Sequence, residues 1–167
     1  MRRSLVQFLA AAMAMPGAAL AAPAPAPHVL RLVPQVSIHG VELGMTPAQV
    51  QGKLGHPDAT HKGRQPGIGA TMTLTFGLTT VRFAGTKPSS QAVTITTTSR
   101  RERTARGVGV GSSEAVVHQR VPGAKCLVEY GYRHCVVGTQ KPGQIITDFS
   151  IGDSGRVTRI SLARVLD

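Results

Sequence analysis

The chain has 167 residues, with 19 Lys and Arg against 8 Asp and Glu, and its aromatic side chains are limited to two Tyr and four Phe. This length suits one domain or two small intimate ones. The formal net charge of +11 favours attraction to anionic surfaces, whereas the scarcity of aromatic rings argues against the stacking platforms that bind nucleic acid. We therefore expect no nucleic-acid partner.

The first residues have the features of an export signal. Arg2 and Arg3 precede an apolar run over residues 5–20, and Ala19-Leu20-Ala21 supplies the small residues that a signal peptidase requires, so we predict cleavage after Ala21. The run is too short and too rich in Ala for a confident transmembrane span. No Cys lies near the cut to accept a lipid. We expect an exported protein, secreted or associated with the periplasm or cell envelope, that is not a lipoprotein.

Residues 22–39 are predicted to form a leader ahead of the repeats. Residues 22–27 alternate Ala and Pro, which favours a stiff, extended chain with no capacity for packing. Residues 28–39 contain apolar side chains interrupted by Pro34. Both an edge strand and a simple lead-in fit this stretch.

The sequence then repeats itself at a spacing of 67 residues (107 − 40). Residues 40–50 read GVELGMTPAQV and residues 107–117 read GVGVGSSEAVV, which keeps the outer glycines, a hydroxyl-bearing residue and the apolar positions in phase. Such a repeat indicates one supersecondary unit built twice. We predict a first repeat over residues 40–106 and a second over residues 107–167.

A short helix is predicted near the start of each repeat. Thr46 is placed to cap the first, with Pro47 at the first helical position and Gln49 at the capping-box position. In the second copy, Ser112 or Ser113 is the cap. Each helix has an apolar pair four residues apart on its buried side, namely Val50 with Leu54 and Val117 with Val121.

Hairpins are predicted after the first helix. A two-residue turn at Gly77-Leu78 places apolar residues of the flanking strands on one face, in the pairs Phe76 with Thr79, Leu74 with Val81 and Met72 with Phe83. The next strand, over residues 92–98, is expected to turn Val93 and Ile95 inward. The pattern does not decide whether residues 58–62 form a further strand. Residues 61–69 are expected to form the longest irregular loop of the mature chain.

The second half is predicted to contain a stapled hairpin. A two-residue turn at residues 130–131 places Cys126 opposite Cys135, which favours a disulfide worth about 2–3 kcal/mol. The alternative, a metal site from His134 and both sulfurs, lacks a fourth ligand at zinc-finger spacing. A later hairpin around residues 152–155 is predicted with three cross-strand pairs, namely Ile145 with Leu162, Thr147 with Ile160 and Asp148 with Arg159.

No reaction is indicated by the motifs. The glycine run over residues 107–111 precedes a helix, but hairpins rather than a parallel strand are predicted to follow, so a structural turn is favoured over a dinucleotide loop. No Ser lies in a nucleophile elbow, and no two His have the spacing of a zinc-binding helix. We predict no catalytic residue, cofactor or metal. Convergence of distant His and carboxylate groups would still permit a hydrolase.

Two groups of residues are candidates for contact with a partner. Arg100, Arg101 and Arg103, with Arg106, crowd the junction between the repeats, either as a solvated strand end or as a footprint for an acidic surface. The second group flanks the stapled turn: Tyr130 and Tyr132 with Arg133. Tyrosines on a rigid tip suit contact anchors, and ordinary cross-strand packing explains them equally well.

The first repeat resembles a known envelope family. Its Val41-x-Leu43-Gly44-Met45-Thr46 segment, continuing to Val50, Leu54-Gly55 and Pro57, is similar to the helix-opening signature of the SmpA/BamE outer-membrane lipoproteins. Its tandem use with following hairpins resembles the beta-lactamase inhibitor protein architecture. The resemblance implies two small helices on one face of a curved antiparallel sheet, with the concave face or a hairpin tip meeting a protein partner.

The sequence therefore predicts an α+β fold of two tandem helix-plus-antiparallel-hairpin repeats sharing one curved sheet, with short helices on one face. The first functional hypothesis is a non-enzymatic secreted protein of the bacterial envelope that recognises another protein through its sheet face and hairpin turns. The alternative is a basic protein associated with the cell wall or another polyanion. An unrecognised hydrolase is third.

Overall fold

A computed structural model describes residues 32–129 and 131–165. The predicted signal peptide, the Ala/Pro stretch and Tyr130 lie outside the described residues. The described elements, in chain order, are β1 (Leu32–Val33), β2 (Ser37–Ile38), β3 (Val41–Glu42), α1 (Pro47–Leu54), β4 (Ala59–Gln65), β5 (Gly69–Phe76), β6 (Thr79–Ala84), β7 (Gln91–Thr97), α2 (Glu114–Arg120), β8 (Lys125–Glu129), β9 (Tyr132–Val137), β10 (Ile145–Ile151) and β11 (Val157–Arg164). Neither described helix is long and apolar enough to cross a membrane.

The fold is mostly β, with one large antiparallel sheet and one small one. The large sheet has eight strands in the order β4-β5-β6-β7-β11-β10-β9-β8, and β1, β2 and β3 form the small sheet. Each half of the large sheet contains the four strands that follow one helix. The last strand of each half pairs with the other at the centre, where Leu162 of β11 faces Ile95 of β7.

A single hydrophobic core lies against one face of the large sheet. Val50 of α1 and Val117 of α2 are fully buried in the same cluster as Phe83, Phe149 and Ile160 of the sheet. The small sheet adds Leu32, Ile38 and Val41 to that cluster. Both helices and the small sheet contribute to this core, so among the described residues no element covers the opposite face of the large sheet.

The helix boundaries follow from capping. Thr46 Oγ1 accepts the Gln49 N–H at 3.4 Å, and the Gln49 side chain accepts the Thr46 N–H at 2.8 Å, which makes a complete capping box. In α2, Ser113 Oγ accepts the Val116 N–H at 3.4 Å. Ser113 is therefore the cap of α2, and Ser112 has another role.

The first hairpin has the predicted register. Phe76 faces Thr79, Leu74 faces Val81 and Met72 faces Phe83. The prediction for the next strand was half wrong: Ile95 is buried, but Ala92 is the other inward residue and Val93 is only half-buried. A register shift between Arg82 and Phe83 opposes Arg82 to Thr94 and Phe83 to Ala92. This irregularity leaves Val93 without a partner and breaks the alternation along β7.

The predicted long loop at residues 61–69 was also wrong. Residues 59–65 form β4, which pairs with β5 from Ala59 opposite Thr75 to Gln65 opposite Gly69. Six of its seven residues are exposed. An edge strand of this kind carries no apolar alternation, and its strand conformation comes from the hydrogen bonds to β5.

The predicted register of the last hairpin was wrong by two residues. Ile145 faces Arg164, Thr147 faces Leu162 and Asp148 faces Ser161. The turn is longer than expected, and a register shift lies between Ser150 and Ile151. A two-residue slip keeps every side chain on its own face, so the apolar pattern does not distinguish the two registers.

The end of the predicted leader is part of the fold. Leu32 is buried and its N–H donates to the Arg103 carbonyl at 2.9 Å. Gln35 reaches the large sheet, where its N–H donates to Thr147 Oγ1 at 2.7 Å. Of the two interpretations left open for residues 28–39, a strand is therefore correct for Leu32–Val33 and Ser37–Ile38.

A buried acid joins the small sheet to the large one. The Glu102 side chain is 2% exposed, with Oε1 3.6 Å from His39 Nδ1 and Oε2 accepting from Thr97 Oγ1 at 3.4 Å. Thr97 Oγ1 in turn accepts from Thr79 Oγ1 at 3.1 Å. This network connects β6, β7, the small sheet and the segment between the two halves.

We expect Val50→Ala and Val117→Ala to reduce the free energy of unfolding by similar amounts, about 2 kcal/mol each, because each removes two methyl groups from a filled core. Both side chains are fully buried in the same core cluster. Urea denaturation of the two variants measures the losses. A loss at one position only would show that the two helices pack with unequal strength.

Candidate functional site

The uncovered face of the large sheet is polar along its centre. One row of facing residues crosses five strands, consisting of Asp148, Ser161, Thr96, Thr80 and Thr75. Thr96 Oγ1 and Ser161 Oγ lie 3.2 Å apart within it. Asp148 and Ser161, at one end of this row, line a depression in the sheet surface.

That depression is a groove of 760 Å³ over β8–β11. We call it the open-face groove. The residues that line it include ones of both charges, an aromatic residue, several with hydroxyl groups and two isoleucines: Glu129, Tyr132, Arg133, His134, Ile146, Asp148, Ser150, Ile151, Arg159 and Ser161. Such a surface offers hydrogen bonds and charge contacts in a concave site.

The β8–β9 hairpin forms one end of the groove and is covalently stapled. Cys126 faces Cys135 in the register, and their sulfur atoms are bonded, as predicted. Beyond the disulfide, Tyr132 is 73% exposed and Val128 is also exposed. Arg133 Nε lies 3.5 Å from Glu114 Oε2 at the start of α2. The tip therefore presents an aromatic ring from a doubly anchored strand.

His134 and Asp148 meet on the floor of the groove. His134 Nδ1 is hydrogen-bonded to Asp148 Oδ2, and Ser150 Oγ donates to the other oxygen of Asp148 at 3.0 Å. Arg159 Nη2 donates to Ser150 Oγ at 3.4 Å. The chain of contacts runs across β9, β10 and β11 and orients the imidazole.

The other nitrogen of His134 faces a second carboxylate. His134 Nε2 lies 3.8 Å from Glu129 Oε2, and within the described part of the chain this buried atom has no hydrogen-bond partner. The His134 side chain is 15% exposed, whereas that of Glu129 is 44% exposed. Glu129 thus shields an imidazole nitrogen that is otherwise unsatisfied.

The sequence did not predict this cluster, for a definite reason. His134 and Asp148 are 14 residues apart and lie on strands joined by residues 138–144, whose course is irregular. The prediction placed Asp148 beside Arg159, whereas Ser150 is the residue that faces Arg159. The alternation of β9 and β10 gives the face of each side chain, but not the register between the strands.

The predicted arginine group lies away from the groove. Arg100 and Arg101 are exposed, and Arg103 is half-buried with its guanidinium held by the carbonyls of Arg100 and Gly107 at 3.0 and 3.4 Å. None of the three lines the open-face groove, whereas Tyr132 and Arg133 do. The structure therefore separates the two predicted groups onto different surfaces.

The described residues contain one cluster of metal-ligand types, formed by Glu114, Cys126 and Cys135. The two sulfurs are joined to each other, so neither is a thiolate that could bind a metal ion. His134 is on the opposite side of β9 from Cys135, because neighbouring residues of a strand point to opposite faces.

The sequence matches no protein-family model and no curated protein. The fold is similar to that of a DUF4309 family protein (YjgB) from Bacillus subtilis, at 14% identity and a TM-score of 0.44, over 76% of this chain and 84% of that one. A likeness at this level carries no argument about function.

Proposed function

We propose that the chain is an exported, non-enzymatic binding protein of the bacterial envelope that recognises another protein through the open-face groove and the β8–β9 tip. The observation that carries the proposal is the exposed ring of Tyr132 at the rim of the concave open-face groove. Tyr is enriched among the residues that contribute most to binding at protein interfaces.

The preorganisation of the tip supports this proposal. The disulfide fixes β8 to β9, and the Arg133–Glu114 contact ties β9 to α2. A rigid surface loses little conformational freedom on binding, so more of its contact energy appears as affinity. The groove is lined by the cationic Arg159 as well as by the acidic Asp148 and Glu129, and such mixed charge suits a protein surface better than a uniformly anionic polymer.

Export is supported by the disulfide, since such bonds persist in oxidising compartments. The predicted signal peptide, with Arg2 and Arg3 before an apolar run, agrees with the same compartment. We propose that the protein resides in the periplasm, at the cell envelope or in the medium.

The proposal includes an internal duplication, with the helix and four following strands as its unit. Positions 67 residues apart support it (113 − 46 and 111 − 44): Thr46 and Ser113 cap the helices, and Gly44 and Gly111 have φ of 89° and 91°. The mirrored strand order agrees. The resemblance to SmpA/BamE units in a tandem arrangement like that of the beta-lactamase inhibitor protein belongs to this proposal.

A photo-crosslinking residue in place of Tyr132 tests the binding surface. We expect it to trap a protein in the producing cells. The same residue in place of Leu78, an exposed side chain at the turn of the other half, is the matched control and should trap none. Equal trapping at both positions, or none at 132, would contradict the proposal.

Tyr132→Ala measures the strength of the contact. We expect capture of the trapped protein to weaken about tenfold or more, since an aromatic anchor contributes at least about 2 kcal/mol. Capture by the unaltered protein should survive about 0.5 M salt, which screens exposed charges. Complete elution by salt would favour the polyanion alternative.

Hydrolysis is a second candidate, because Asp148 orients an imidazole whose other nitrogen is unpartnered among the described residues. Glu129 shields that nitrogen, which is why binding is placed first. Turnover of ester, amide or phosphoester substrates would favour hydrolysis if His134→Gln abolished it. His118→Gln, at an exposed position, is the control and should keep the turnover.

A further inference from the structure

Three arginine side chains converge on a cleft that the proposed function does not use. The cleft has a volume of 310 Å³ and is lined by Arg100, Arg103, Val110, Gly111, Ser112 and Arg156. We call it the arginine cleft. It shares no lining residue with the open-face groove. Arg156 comes from the turn before β11, so the cleft could not be recognised from the cluster in the sequence alone.

The three guanidinium groups approach the same two residues. Arg156 Nη1 donates to the Gly111 carbonyl at 2.9 Å, and Arg103 Nη1 donates to Ser112 Oγ at 3.3 Å. Arg100 Nε would lie 3.9 Å from a Cβ built on Gly111. Arg103 and Arg156 contact this dipeptide directly, and Arg100 lines the same cleft, so three positive charges are gathered in one small volume.

No acidic side chain neutralises this charge within the described part of the chain. The contacts between basic and acidic side chains found there involve His39, Arg133 and His134 and none of these three arginines. Like charges held close together repel, and an anion bound between them would remove that repulsion. Guanidinium groups are suited to such a role, since each carries five N–H donors, whereas Arg103 makes three hydrogen bonds with the protein and Arg156 makes one.

The walls of the cleft are fixed by backbone hydrogen bonds. The Gly111 N–H donates to the Val157 carbonyl at 2.7 Å, and the Val157 N–H donates to the Ser112 carbonyl at 2.8 Å. Arg103 and Gly109 form an isolated bridge beside them. The arginines therefore project from a frame that is already ordered.

Ser112 supplies a neutral donor. Its Oγ accepts the Gly109 N–H at 3.1 Å and the Arg103 guanidinium at 3.3 Å. A hydroxyl that accepts two hydrogen bonds keeps its own hydrogen for a third partner. This also gives Ser112 a role other than helix capping.

We propose that the arginine cleft binds a phosphate group. Three guanidinium groups and a hydroxyl, approaching from several directions, match the four oxygens arranged around a phosphorus atom better than a flat carboxylate, which has two oxygens. Among the described residues, none that lines the cleft is aromatic, so the cleft recognises the phosphate itself and not a stacked base. The source is either free phosphate or a phosphate exposed on an envelope lipid.

Isothermal titration with inorganic phosphate tests the site. We expect binding by the unaltered protein and a dissociation constant at least about tenfold higher for Arg100→Gln/Arg156→Gln, since the variant loses two donors of charge-assisted hydrogen bonds to the anion. Lys62→Gln/Arg64→Gln removes the same charge from exposed positions of β4 and is the control, with little expected change. Circular dichroism checks that each variant is folded.

Vesicles distinguish the two sources. A lipid phosphate is the source if the protein binds phosphatidylglycerol vesicles but not phosphatidylcholine vesicles. That binding should be lost in the Arg100→Gln/Arg156→Gln variant and kept in the control variant. Phosphate binding without vesicle binding would assign the site to a free phosphate. Absence of binding to both probes, or equal weakening by the two double variants, would overturn the proposal. Neither outcome depends on the open-face groove.

Discussion

Gly109→Ala is expected to lower the free energy of unfolding by about 3 kcal/mol or more, which is the upper range for forcing an extra group into a filled site. A Cβ on Gly109 would overlap the backbone carbonyl of Glu102 and would lie 2.8 Å from Arg103 Cδ. The carbonyl belongs to the main chain of an isolated bridge between Arg103 and Gly109. It cannot rotate away as a side chain could, so the bridge itself must open.

Gly52→Ala is the matched control for that variant. Gly52 lies inside α1, and a Cβ there has no heavy atom within 4 Å. Alanine is the better helix former, so this variant should gain about 0.5–1 kcal/mol. Chemical denaturation of both variants measures the opposite signs. A Gly109→Ala protein as stable as the parent would show that the segment around Glu102 shifts at little cost.

Reduction of the Cys126–Cys135 disulfide is expected to lower the free energy of unfolding by about 2–3 kcal/mol in the chain-entropy model. The two cysteines are nine residues apart in the chain. β8 is an edge strand whose partner in the large sheet is β9. We therefore expect the amides of β8 to lose protection from hydrogen exchange first on reduction.

β4, at the opposite edge of the sheet, provides an internal reference for that experiment. The protection of the β4 amides from hydrogen exchange should change only with the global stability of the fold, because the disulfide does not involve β4. The Cys126→Ala/Cys135→Ala variant is the chemical control, since it should not respond to the reductant. An unchanged urea midpoint after complete reduction would contradict the expected stabilisation.

The predictions that the structure confirms rest on residues that are close together in the chain. The capping box at Thr46 and Gln49 needs four consecutive residues and was predicted correctly. The β5–β6 and β8–β9 registers follow from two-residue turns, and both agree with the structure. In the β8–β9 hairpin the opposition of Cys126 and Cys135 fixed the register a second time.

The errors arose where a signal was absent or ambiguous. β4 is almost wholly exposed, so no apolar pattern distinguishes it from a loop. In the β10–β11 hairpin, a slip of two residues preserves the face of every side chain, and the apolar pattern tolerates both registers. The packing of Leu32 and Ile38 beneath the sheet depends on contacts with distant segments.

The sequence by itself determined the capped helices, the stapled hairpin and the inward faces of most strands, because these depend on residues a few positions apart. Only the tertiary structure decided which distant side chains meet. His134 reaches Asp148 through the β9–β10 register, and Arg156 joins Arg100 and Arg103 through the return of β11 to the centre of the sheet. Strand register and strand order over long separations are set by the packing of the whole core, and both candidate sites lie where those long-range choices bring side chains together.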